Sequence, residues 1–152
     1  MANSLQSKFM KFMTLPAADQ GVFLAALMLL PWFWLALRVV GLRRLQEWLH
    51  TPATAESNPD PIQAKRLARL VNRAAQQPLV PATCLSRSLL LQWFLKRQGI
   101  ASQLRIGIDK TTSEFKAHAW VECAGAPVND HPDVAQRYAV FPTTRAESIN
   151  RQ

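Results

Sequence analysis

A thiol, an imidazole and a carboxylate (Cys84, His118 and Asp130) occupy positions from which one fold can assemble a nucleophilic site. Cys84 follows Thr83, an N-cap residue type, and opens the run CLSRSLLLQWFLKRQ, which reads as a helix over 84–98 stopped by Gly99. The helix dipole and the free N–H groups of a first turn stabilise a thiolate and lower its pKa. Arg87, one turn on, adds positive charge. A free cysteine is also a common buried hydrophobe, so position alone leaves both readings open.

His118 lies in FKAHAWVEC, where Phe115, Ala117, Ala119, Val121 and Cys123 alternate with Lys116, His118, Trp120 and Glu122. That period of two is a strand. A reversal through a three-residue loop, Cys123-Ala124-Gly125, sets Glu122 opposite Ala126, Trp120 opposite Val128 and His118 opposite Asp130. Opposed residues have Cβ atoms about 4.5–5.5 Å apart, within side-chain reach. A two-residue loop shifts this register by one and spoils the pairing. In such a site Asp130 orients the imidazole and stabilises its protonated form, and His118 takes the proton of Cys84. For the oxyanion the backbone N–H of Cys84 is the first candidate, with the side-chain amides of Gln76 and Gln77 as further ones. Cys123 falls in the turn, without a helix N-terminus to activate it, and reads as structural.

These residues need a scaffold. With 152 residues, 49% of them hydrophobic, the chain can bury a core. Two cysteines make no disulfide framework, which suits a reducing, cytoplasmic compartment, and no Cys/His cluster has zinc spacing. The net charge of +8 is concentrated in residues 1–105, with 13 Lys/Arg against 4 Asp/Glu. Such a surface suits phospholipid, nucleic acid or an acidic peptide, but no nucleic-acid motif or aromatic platform accompanies it.

Residues 1–50 form an apolar N-terminal helical segment, with every residue from Val22 to Leu37 apolar. The run ends in Arg38 without a cleavage site, unlike a signal peptide. It is shorter than a membrane span and interrupted by Pro31. A buried or interfacial helical hairpin fits better, and Trp32, Trp34 and the following arginines suit peripheral contact with the inner face of a membrane. Residues 51–61 are a linker rich in Pro, Ser, Asn and Asp. The core then spans 62–152, one compact unit with the N-terminal helices. In it, Asp60 and Pro61 start a helix over 62–77 whose apolar face carries Leu67, Leu70, Val71 and Ala74; Lys65, Arg66, Arg69 and Arg73 lie opposite. Strands follow at 104–108, 115–123, 126–130 and 138–141, with a turn at 110–114 and a frayed tail from Pro142. Helices first, then an antiparallel sheet, is an α+β layout.

The stretch CLSRSLLLQWFLKRQGI, then LRIGI, FKAHAWVE and GAPVND, resembles the peptidase domain of lasso-peptide leader peptidases, which are transglutaminase-like, papain-related cysteine enzymes. The resemblance covers about residues 62–141. It implies Cys84 as nucleophile, His118 as general base and Asp130 as orienting acid, with no metal or organic cofactor. It implies leader removal from a ribosomally made precursor peptide, followed by macrolactam closure by a cyclase resembling asparagine synthetase. The longest members carry a winged-helix leader-recognition domain before the peptidase. Residues 1–60 lack that pattern, so the resemblance implies a separate leader-binding protein acting in trans, docked on the basic face of 62–77 or the Trp-rich helix. The same triad also serves an acyltransferase or amidase, and the same fold serves a catalytically silent, membrane-associated scaffold.

Overall fold

The computed structural model describes residues 16–49, 58–110 and 116–141. Helices α1 (Ala17–Val39), α2 (Gly41–Leu49), α3 (Pro61–Ala75) and α4 (Cys84–Arg97) precede strands β1 (Gln103–Asp109), β2 (Ala117–Cys123) and β3 (Ala126–Pro127). A short helix, α5 (Val134–Arg137), leads into β4 (Tyr138–Phe141). The strands form one antiparallel sheet in the order β3-β2-β1-β4. This is the α+β layout expected. The turn expected at 110–114 and the tail from Pro142 lie largely or wholly outside the described residues, as do residues 51–57 of the linker.

Local signals set the helix starts. The Asp60 carboxylate accepts from the N–H groups of Ile62 and Gln63 at 3.1 and 3.0 Å, and Pro61, which has no N–H to satisfy, takes the first helical position. Thr83 and Ser86 form a reciprocal cap: each side-chain oxygen accepts from the other's backbone N–H, at 3.1 and 2.9 Å. Cys84 is thereby fixed as the first residue of α4.

Helix α4 is the hub. Leu89, Leu90, Leu91 and Leu95 are fully buried among α1, α3 and the sheet. Each contributes on the order of 1.5–3 kcal/mol through burial. From α3, Ala64, Leu67, Ala68, Val71 and Ala74 join the same core, and from the sheet Leu104, Ala119, Val121 and Cys123. Cys123 is 1% exposed and ends β2. Burial pushes its thiol pKa up, so it is a core residue and a poor nucleophile.

Three expectations are corrected. Pro31 does not interrupt the apolar helix: α1 runs through it for 23 residues. A proline inside a helix costs about 3 kcal/mol, and packing of α1 along α3 and α4 offsets that cost. The β2–β3 reversal is a two-residue turn, Ala124-Gly125, with φ of 53° and 76°. Positive φ at both central residues is the type I′ geometry that matches strand twist. Glu122 therefore faces Pro127 and Cys123 faces Ala126, one step from the expected register. Strand β3 also ends at Pro127 instead of running to residue 130.

Candidate active site

His118 and Asp130 meet nonetheless, with His118 Nε2 and Asp130 Oδ2 2.5 Å apart. They meet because the chain leaves the ladder after Pro127 and bends. The Val128 N–H still donates to Val121 O at 2.9 Å, but the next groups turn away from the strand path. The Asn129 side chain is what holds the bend. Its Oδ1 accepts from the Val121 N–H at 2.8 Å, its Nδ2 donates to Ser88 Oγ at 3.0 Å, and its backbone carbonyl accepts from Asn72 Nδ2 at 3.0 Å. Ser88 Oγ in turn donates to Ala119 O at 3.0 Å. Asn129 is 5% exposed and Ser88 fully buried. This network ties α3, α4, β2 and the bend together, one residue from Asp130 and one turn from Cys84.

Asn129→Ala leaves the buried Val121 N–H without its partner, at about 1–3 kcal/mol, and takes from Ser88 one of its two hydrogen bonds. A urea midpoint lowered accordingly, together with slower Cys84 alkylation, is the expected result; an unchanged midpoint would count against the clamp.

Cys84 is half-buried at the start of α4. His118 is its ionisable partner: hydrogen bonding between the two side chains is the largest cause of the shift at Cys84 and the second largest at His118. Since Nε2 faces Asp130, Nδ1 is the ring nitrogen left for the sulfur. The three sequence-predicted residues thus form one line: Cys84, His118, Asp130. The His118 bond carries the Cys84 pKa below its ordinary value against the opposing effect of burial, with help from the backbone groups of Ala119 and Leu85 and from the imidazole charge. His118 is pushed up to about 9, first by its bond to Asp130 and then by that to Cys84, with burial opposing. Burial alone raises Asp130, but bonds from His118 and the His131 N–H, with the charges of His118 and Arg87, bring it below the ordinary range. Between the Cys84 and His118 values the favoured state is thiolate facing imidazolium, and the pair titrates as a unit.

Arg87 acts on a different partner from the one expected. Its charge is felt at Asp130, not at Cys84. The oxyanion candidates also separate. Gln76 is the exposed C-cap of α3, and the Gln77 amide donates to Arg73 O at 3.0 Å. The Ser86 N–H is taken by Thr83, whereas no acceptor within the helix faces the N–H of Cys84.

Sequence reading did not single out the aromatic wall. Tyr138 lies 5.0 Å from the His118 ring, and both rings pack near Trp120, at 6.0 and 6.2 Å. Gly107, paired with His118 across β1 and β2, lets β4 come close enough for this. A Cβ there would sit 2.9 Å from Ala139 O and from Tyr138 Cβ. Trp120 Nε1 donates to Glu122, which also receives Arg105 at 2.9 Å. This partly buried pair ties β1 to the strand carrying His118. The alternation of His118, Trp120 and Glu122 was the available signal; the approach of Tyr138 was not visible in it.

No curated protein and no solved structure matches the chain significantly. A family profile described as the transglutaminase-like superfamily matches residues 26–143, which include most of α1, the whole of α2, α3 and α4, and the sheet. Helices followed by a four-stranded antiparallel sheet are consistent with that match, and the chain belongs to the transglutaminase-like superfamily.

Proposed function

We propose that the chain is a cysteine peptidase that removes the leader from a ribosomally synthesised precursor peptide, in lasso-peptide maturation, with Cys84 as nucleophile, His118 as acid and base, and Asp130 as the orienting carboxylate. The observation that carries the chemistry is the place of His118, hydrogen-bonded to Asp130 on one side and lowering the pKa of Cys84 on the other. The resemblance of CLSRSLLLQWF, AHAWVE and VND to leader peptidases supports the substrate class.

The Cys84 thiolate attacks the scissile carbonyl carbon, and the carbonyl electrons move to oxygen. The Cys84 N–H, at the positive end of α4, is the donor for that oxyanion. As the tetrahedral species collapses, the C–N bond breaks and His118 gives its Nδ1 proton to the departing amine. Water then attacks the thioester, His118 accepts its proton, and the carboxylic acid leaves as the thiolate and imidazolium re-form. The ledger is one peptide bond and one water consumed, one acid and one amine produced. A separate leader-binding protein presents the substrate in the cytoplasm, and a cyclase resembling asparagine synthetase consumes the freed N-terminus.

The test is mass spectrometry of a precursor encoded beside this chain, incubated with the chain and the neighbouring small leader-binding protein. Cleavage at one bond, with water incorporated even when a primary amine is added, is expected. An amide formed with the added amine would assign an acyltransferase instead. No reaction, with Cys84 no more reactive than a free thiol, would favour a silent scaffold.

A further inference from the structure

Helix α1 has a second apolar face that the fold does not use. Ala26 and Leu30 are fully buried against the core, Phe33 packs on Trp93 with ring centroids 6.5 Å apart, and Asp19 binds Arg66 at 2.9 Å. On the opposite side Leu24, Met28, Trp32, Leu35 and Val39 form a stripe at helical spacing, exposed by 44–74%. It runs for most of the helix, whose 23 residues extend about 34 Å. A stripe of this size calls for a cover.

The charges around the stripe indicate which cover. Arg38 lies in the last turn of α1, at the end of the stripe, and Arg43 and Arg44 follow on α2. Arg43 pairs with Glu47, and the only acid on α1, Asp19, is already taken by Arg66. Arg38 and Arg44 have no carboxylate partner among the described residues; Arg38 lies 5.5 Å from the Trp34 ring. A second copy meeting this face would bring the same surplus of cations and no spare carboxylate on α1 or α2. An anionic phospholipid surface supplies the missing negative charge along with an apolar layer for Met28 and Trp32. By length and composition α1 is also sufficient to cross a membrane. Crossing would strip Ala26, Leu30 and Phe33 from α3 and α4 and break the Asp19–Arg66 pair.

We propose that α1 lies in the plane of an anionic bilayer, seated by the Leu24–Met28–Trp32–Leu35–Val39 stripe, with Arg38 and Arg44 against lipid phosphates and the catalytic domain held above the surface. The proposal is independent of the cysteine chemistry, and Cys84→Ala binds as the unaltered chain does.

The experiment is co-sedimentation of the full chain with vesicles of phosphatidylcholine, with and without phosphatidylglycerol. Binding is expected to require phosphatidylglycerol, to reverse in alkaline carbonate, and to fall by more than about tenfold in Met28→Glu/Trp32→Glu. Arg38→Gln and Arg44→Gln each weaken binding by about fivefold. Four results would each overturn it: no binding to the anionic vesicles, binding indifferent to the Met28/Trp32 change, retention through carbonate, or a dimer in light scattering that the same change dissociates. Preserved Cys84 alkylation in the glutamate variant shows that its fold is intact.

Discussion

Cys84→Ala is expected to lower precursor cleavage by about 10⁴-fold or more while the fold survives. The side chain is half-buried and packs only at the edge of the core, so its loss leaves the leucines of α4 in place. His118→Ala should fall to the same residual rate, because neither group works without the other: the thiol is held ionised by the imidazole, and without the thiolate adduct the imidazolium has no departing amine to protonate. The double variant should therefore be no slower than either single one. Iodoacetamide labelling gives a second readout that needs no substrate. Near neutral pH Cys84 should label fast in the unaltered chain and much more slowly in His118→Ala. Cys123, buried in the core at the end of β2, should stay unlabelled in both until the protein unfolds. Equal cleavage by Cys84→Ala would remove the thioester route altogether.

What the sequence revealed of this site was its local part. Asp60 and Thr83 cap α3 and α4 as their residue types require, because capping is a contact between near neighbours in the chain. The helix-to-strand change after Gly99 was legible for the same reason. The His118–Asp130 pair was reached through a register that does not occur. The type I′ turn at Ala124-Gly125 shifts the ladder by one, and Asn129 then redirects the chain so that Asp130 swings back to His118. That second event depends on Ser88 and Asn72, 41 and 57 residues away, and no pattern within a window of sequence encodes it. The approach of Tyr138 to the His118 ring is equally long-range: it needs β4 to cross beside β1, where Gly107 has no side chain to keep it away. Pro31 illustrates the reverse case. A local rule expected a break, and tertiary packing on α3 and α4 overrode it.

The Asp130 variants separate charge from orientation. Asp130→Ala removes both and should cost roughly 10⁴-fold in kcat/KM. Asp130→Asn keeps a carbonyl oxygen to accept from His118 Nε2–H, so the ring keeps its orientation, but the negative charge is gone. The pH profile should then show which loss matters. In the unaltered chain the thiolate–imidazolium pair forms as pH rises above the lowered Cys84 value, and it is lost as pH climbs through about 9, where His118 gives up its proton. The bond to Asp130 is the largest cause of that high value. Without the carboxylate, the alkaline limb should move down toward the ordinary histidine range. The acid limb should move up, because a less readily charged imidazole holds the thiolate less well. The window of activity narrows from both sides, and at its centre the asparagine variant should exceed the alanine one. Arg87 stands near the position of the lost charge, and its cation then opposes protonation of His118 instead of being balanced by Asp130. Asp130→Asn/Arg87→Gln should accordingly recover part of the alkaline limb. An alkaline limb that stays near pH 9 in Asp130→Asn would mean that the imidazolium is held by the Cys84 thiolate alone, and Asp130 would then be an anchor for the bend without a part in the proton transfer.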